Sequence, residues 1–154
     1  MDRTLVILKP SCLQKMLIGE VVSRFEKKGL RLVGMKMIQL DDAILDVHYE
    51  HLKEKAFFGE LKRSMKATPV VVQCWEGLDA AMVVRKLIGV TNGREAASGT
   101  IRGDFSLSAQ ENIVHASDSA QSAETELKRF FKNGEIFDYR LSVTASLYSN
   151  DELL

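Results

Sequence analysis

Hydrophobic positions change period along the chain, and each change predicts an element. "RTLVIL" (3–8) is short, β-branched and apolar without alternation, the pattern of a strand covered on both faces, and Pro10 stops it. Ile18, Val21, Val22 and Phe25 then fall at helical spacing, with Lys27 and Lys28 as a basic last turn and Gly29 just past it. "RLVGMKMIQL" predicts a second strand with Leu32, Met35 and Met37 on alternating faces. Asp41 or Asp42 can cap a helix carrying Ile44, His48 and Tyr49, and a shorter helix follows over 58–65. "PVVVQCW" predicts a third strand beginning at Pro69, a tolerated position. Residues 79–88 form a helical pattern with Ala80, Val83, Val84 and Leu87 on its apolar face. Periodicity then stops: "GVTNGREAASGTIRGDF" (89–105) holds four glycines, and a long irregular loop in a compact domain is usually functional. "NIVHA" (112–116) predicts a fourth strand, and Ser119 or Ser122 opens a last amphipathic helix with Leu127, Phe130 and Phe131. The tail from Gly134 has no clear period.

Helices therefore cross over one sheet of four strands. An α+β, ferredoxin-like α/β sandwich, with a four-stranded antiparallel sheet covered by helices, fits this order best. A small doubly wound sheet is the rival, because pattern alone does not fix strand order. With no repeat, low-complexity tract or linker, residues 1–154 read as one domain.

Composition narrows the function. Apolar residues make up 45% of the chain, enough for a real core, and 21 basic residues balance 21 acidic ones. A chain without net charge is not built for bulk attraction to nucleic acid or membrane; any anion must be held by a local cluster of cations and backbone amides. Cys12 and Cys74 are distant and lack metal-ligand spacing, which argues against zinc and for free thiols in a reducing compartment. The apolar run Leu5–Leu8 is too short for a signal peptide or a membrane span, so a soluble, cytoplasmic protein is expected.

Candidate chemistry centres on "QENIVHASDS". His115 stands where a strand hands over to a helix, a junction at which a rigidly held side chain reaches a cleft. It reads either as a packed or surface residue or as a nucleophile. Glu126, about two turns into the next helix, could fold back and fix the imidazole tautomer, or be a solvated helix residue. Lys9, Arg85 and Arg102, with Thr91 and Asn112, are residue types that suit phosphate oxygens, although each cation alone reads more simply as a surface charge. Neither GxxxxGK[ST] nor GxGxxG is present. Tyr49 and Phe57 read alone as packing residues on a helix face.

Taken together, "NIVHASDS" resembles the N-x-x-H-G-S-D-S signature of the nucleoside diphosphate kinases. "TLVILKP", "RFEKKGLRLVGMKM", "PVVVQCWEG" and "GTIRGDF" are similar to that family in order and spacing, from Thr4 to about Phe137. The resemblance implies a ping-pong exchange of the γ-phosphoryl group, mainly from ATP, to nucleoside diphosphates through a pros-phosphohistidine on His115. It implies that Lys9, Tyr49, Arg102 and Asn112 surround the transferring group and the ribose 3′-hydroxyl. Arg85 and Thr91 would hold the β-phosphate, and Phe57 would stack on the base near Leu61 and Ala109. Glu126 and Ser117 would orient the imidazole, with Asp118 in the same polar shell. Mg2+ would be held mainly by the nucleotide phosphates, and the protein would form a homo-oligomer, a tetramer or hexamer built from dimers. No membrane and no specific nucleic acid is expected as a partner.

Several positions depart from the family pattern. Ala116 replaces the glycine usual after the histidine. Gly93 and Ser98 stand where many members have proline, in a loop the family uses for subunit contacts. "KAFFGEL" lacks the prolines frequent around Phe57, and Ala109 offers a smaller platform than the usual valine. Two rival readings remain: a nucleic-acid-binding module on the same fold, opposed by the zero net charge, and a catalytically silent family member, opposed by the intact set Lys9, Tyr49, Arg102, Asn112, His115 and Glu126.

Overall fold

The computed structural model describes residues 1–153. In chain order the elements are β1 (Asp2–Leu8), α1 (Pro10–Gln14), α2 (Ile18–Lys28), β2 (Arg31–Ile38), α3 (Asp42–His48), α4 (Phe58–Met65), β3 (Val70–Gly77), α5 (Ala80–Ile88), α6 (Ile101–Phe105), β4 (Val114–Ala116), α7 (Ala120–Phe130) and α8 (Thr144–Leu147), with 3-10 turns at Glu50–Leu52 and Asn150–Leu153. The strand order is β2-β3-β1-β4, and every neighbouring pair is antiparallel. A doubly wound sheet needs parallel strands, so the ferredoxin-like reading holds and its rival does not.

Strand β1 is central and apolar on both sides, as its unbroken run predicts. Val6 and Leu8 face a core formed with Phe25, Trp75, Val84 and Ile101, under α2, α5 and α6. Leu5 and Ile7 face a second core with Leu45, Leu61, Met65, Leu127 and Phe130, under α3, α4 and α7. Local signals set the helix ends. Gly29 closes α2 at φ 99, a left-handed conformation that favours glycine. The Asp41 carboxylate accepts from Ile44 N–H at the start of α3. Ser119 and Ser122 form a reciprocal capping box that opens α7.

Four expectations need correction. Pro10 does more than stop β1: it sits at the first position of α1, where its fixed φ and missing N–H suit a helix start. Leu32, Met35 and Met37 do not alternate. A bulge between Leu32 and Gly34 inserts one residue, so they register opposite Trp75, Gln73 and Val71 and share one face. The irregular loop is shorter than 89–105, because Thr100 caps Gly103 N–H and residues Ile101–Phe105 form α6. The fourth strand starts at Val114 rather than Asn112, because Ile113 has φ 73 and breaks the extended run. The tail, left open by its pattern, packs along the bulged part of β2, where Phe137 N–H donates to Val33 O at 2.8 Å.

Gly93 is buried, its N–H donates to Ser108 O at 3.1 Å, and a Cβ there would collide with the Ser106 backbone carbonyl. Restoring the proline common at this position therefore removes a hydrogen bond and adds a clash. Gly93→Pro is expected to destabilise the protein by about 2 kcal/mol or more, read as a lowered melting temperature in thermal unfolding.

Candidate active site

The site forms where β1 and β4 end side by side. Lys9 follows the last residue of β1, and its backbone N–H donates to Ile113 O at 2.9 Å. Its side chain is buried, with Nζ donating to Asn112 Oδ1 at 2.9 Å and to Gln110 O at 2.6 Å. Asn112 Nδ2 in turn donates to Thr91 O and Ala109 O, each at 2.9 Å. One buried amide thus ties the end of β1 to the loop after α5 and to the approach to β4. The left-handed kink at Ile113, which is costly for a β-branched residue, separates Asn112 from the strand.

Arg102, on α6, is also buried. Its Nε, Nη1 and Nη2 donate to the carbonyls of Asn112, Gly89 and Val114 at 3.3, 2.9 and 2.7 Å. A guanidinium carries five N–H donors, so two remain for a ligand. The reading of Lys9 and Arg102 as surface charges is therefore overturned, whereas Arg85 is exposed. Burial, then the neighbouring Arg102, holds Lys9 down at about 8. Burial, then Arg85, lowers Arg102 to about 10.

Alternation along β4 puts His115 and Ala116 on opposite faces. His115 registers opposite Ile7 and Ala116 opposite Val6. The Ala116 methyl therefore packs into the core under α5, although the residue also contributes to the lining of the cavity that holds His115. His115 Nε2 lies 3.4 Å from Glu126 Oε2, and Ser117 Oγ donates to the same oxygen at 2.6 Å. Burial pushes the Glu126 carboxyl up, but the hydrogen bond and charge of His115 and the Ser117 hydroxyl outweigh it and bring it to about 2. The carboxylate is therefore ionised and can only accept. The Nε2 proton of His115 faces it, and the lone pair falls on Nδ1.

His115 lines a cavity of about 650 Å³. Lys9, Tyr49, Phe57, Arg85, Thr91, Arg102, Asn112, Asp118 and Glu126 line it too, as do Leu61 and Ala109. Every sequence candidate thus lines the one cavity except Ser117, which is fully buried and reaches the site through Glu126. Tyr49 is just past α3 rather than on it, buried, with its ring edge-on to His115 at 5.9 Å. Phe57, 47% exposed, stands at the open end. Hydrogen bonds from Ser122, then Ser119, hold the Asp118 carboxyl below its usual range. Sequence reasoning missed His51, Leu52 and Gln110, which also line the cavity, and His48, whose ring lies 4.5 Å from that of His115. His51 and His48 flank Tyr49 in sequence, a spacing that could have drawn attention to them.

Known proteins resemble this chain over nearly its whole length. A family model described as nucleoside diphosphate kinase matches residues 2–136. A nucleoside diphosphate kinase of Parabacteroides distasonis is 66% identical over 152 residues, covering 99% of each chain. One from Pyrococcus horikoshii is 52% identical over 141 residues, covering 90% of each. Among solved structures, a halophilic nucleoside diphosphate kinase from Halobacterium salinarum in complex with CDP superposes with TM-score 0.93 at 38% identity, covering 96% of this chain and 99% of that one.

Buried cations without a carboxylate partner should respond to an added anion. With its amine at about 8 when folded, against an ordinary 10.5, Lys9 is neutral in the folded state and charged in the unfolded state between those values. The unfolded state then binds more protons, so this group's contribution raises stability as pH rises from about 8 to 10.5. Pyrophosphate in the cavity restores the charge, so binding in that window takes up protons. Calorimetry in buffers of different ionisation enthalpy should detect the uptake, and Lys9→Met should abolish it.

Proposed function

We propose, given that the chain belongs to the nucleoside diphosphate kinase family and is an enzyme that moves the terminal phosphoryl group of a nucleoside triphosphate to a nucleoside diphosphate, that His115 carries that group between the two nucleotides. In the first half-reaction the Nδ1 lone pair attacks the γ-phosphorus of the triphosphate. The Nδ1–P bond forms as the bond to the β–γ bridging oxygen breaks, and the diphosphate leaves with that electron pair. In the second, a terminal oxygen of an incoming diphosphate attacks the pros-phosphohistidine, and the lone pair returns to Nδ1. Exchange between two anhydrides of similar energy requires an intermediate that is not a sink. A P–N bond meets that need, whereas an ester on Ser117 or Ser119 would be too stable to give the group back.

One observation carries the reading. An imidazole whose Nε2 faces an ionised carboxylate lines the same cavity as Lys9, Arg85 and Arg102. In this reading Lys9, Tyr49, Arg102 and Asn112 surround the transferring group and the ribose 3′-hydroxyl, and preformed donors stabilise its charge without reorganisation. Arg85 and Thr91 hold the β-phosphate. Glu126 steadies the imidazolium character that develops on His115, and Ser117 steadies Glu126. Phe57 stacks on the base beside Leu61 and Ala109; every base has a π-face, so discrimination among bases is weak.

Mg2+ is the cofactor in this reading, bound mainly by nucleotide phosphates, whose charge it neutralises. The residues fit that role. Asp118 is an ionised, exposed carboxylate at the cavity wall, able to accept from the ion's water shell. His48, His115 and Glu126 also bring ligand-type atoms within 4.8 Å of one another, but a set with two imidazoles does not suit a hard, oxygen-seeking ion.

The enzyme is a homo-oligomer in this reading, a tetramer or hexamer of dimers, a view supported by Met35 and Met37, 47% and 60% exposed on the outer strand β2. It is cytoplasmic, as two free, buried thiols suggest, and no helix among the described residues is long and apolar enough to cross a membrane. The family match supports the enzyme rather than a silent member or a nucleic-acid module.

Two measurements test the reading. Incubation with γ-labelled ATP should give an acid-labile, base-stable label that several nucleoside diphosphates discharge and that His115→Ala abolishes; an unlabelled parent enzyme refutes it. Phe57→Ala should raise KM by roughly three- to tenfold for purine and pyrimidine diphosphates alike; a loss confined to one base class contradicts stacking as the mode of base binding.

A further inference from the structure

The groups described so far leave one question: what sets the rotation of the His115 ring? Glu126 does so weakly, since 3.4 Å is long for a hydrogen bond and the carboxylate's closer partner is Ser117 at 2.6 Å. A second imidazole lies against the ring. His48, the last residue of α3, is 5% exposed, and its centroid is 4.5 Å from that of His115 at an interplanar angle of 74°. The same ring stands edge-on to Tyr49 at 4.6 Å and to Phe130 at 5.1 Å. It is wedged on several sides.

Its protonation follows from its partner. Arg129 Nη1 lies 2.9 Å from His48 Nδ1. A guanidinium has only donors, so Nδ1 must accept, and the proton of the neutral ring sits on Nε2. That Nε2 is buried without a hydrogen-bond partner among the described residues, so it is not itself anchored by a bond. The consequence is chemical as well as steric. Two imidazoles stand side by side, and Arg129 occupies the lone pair of one of them. Only the other, on His115, is free to attack phosphorus.

We propose that His48 is a positioning residue for the reaction: an Arg129-anchored, neutral imidazole that wedges the His115 ring so that Nδ1 stays turned to the cavity. The role rests on the reading of His115 as phosphoryl carrier. It predicts a loss in the chemical step and not in nucleotide affinity, because His48 does not line the cavity.

Single-turnover labelling by γ-labelled ATP, with ADP affinity measured in parallel, tests this. His48→Ala should slow labelling of His115 roughly 10- to 100-fold while ADP affinity stays within about twofold. His48→Phe, which keeps a planar wedge, should recover most of that rate. Nitrogen-15 NMR of the parent enzyme near neutral pH should report His48 protonated on Nε2 alone. The proposal fails if His48→Ala labels as fast as the parent, if ADP affinity falls in step with the rate, if His48→Phe is no faster than His48→Ala, or if the spectrum places the proton on Nδ1. Should His48→Ala not fold, as melting would reveal, the NMR signature and His48→Phe against the parent still decide it: a phenylalanine variant slowed as far as the range above overturns the wedge. An unlabelled parent refutes the kinase reading instead.

Discussion

Positive charge buried without a negative partner is the constraint on which this molecule turns. Lys9 meets only a backbone carbonyl and an amide oxygen, and Arg102 meets three carbonyls. Neutral oxygens orient these cations but do not balance them, and both are held below their ordinary basicity by burial. The chain treats a purely structural charge differently. Glu76, buried at the far end of β3, is paired with both Arg3 and Arg31. A cavity whose cations lack such a partner is least favourable when empty and gains most from an anion. In the proposed reading phosphate supplies that anion, and the cations meet it already fixed in place, which is the condition for stabilising charge in a transition state at no cost in reorganisation.

Sheet geometry delivers the proposed nucleophile, His115, to that cavity. Two-residue alternation along β4 sends His115 toward α3 and α7 and Ala116 into the opposite core, so chemistry and packing share one three-residue strand without interfering. The kink at Ile113 performs a related separation one step earlier. It ends the pairing of β4 and frees Asn112 to join Lys9, Thr91 and Ala109. A strained backbone between a packing segment and a ligand-facing one is what a site assembled from three chain segments requires.

Much of this was legible in the sequence because it is local. The unbroken apolar run of β1, the glycine that closes α2 and the serines that open α7 are short-range devices, and each appears where its pattern predicts. What was not legible depends on tertiary pairing. The bulge that brings Leu32, Met35 and Met37 to one face is a property of β2 against β3, and residue order alone does not reveal an inserted position. The left-handed Ile113 violates the preference of its own residue type, so propensity points the wrong way there. Short helices α1 and α6 are too brief to show a period. In the site, the types of Lys9, Arg102, His115 and Glu126 were readable, but their burial was not: a lone cation in a sequence looks like a surface charge until the fold removes it from water. His48 read as one helix-face residue among many for the same reason.

The cavity is also unequal from end to end, and this bears on specificity. Its cationic end is built from buried, hydrogen-bonded groups, while its outer end offers exposed Phe57 and half-buried Leu52, with Leu61 buried. Strong discrimination between similar ligands requires buried donors or acceptors that a wrong ligand leaves unpaired. At the cationic end such groups abound, so under the proposed function a ligand lacking phosphates is rejected at high cost. At the outer end a misplaced polar group of the base still reaches water, and no comparable penalty arises. The weak base discrimination proposed above needs that gradient, and here it follows from where the fold buries its polar groups.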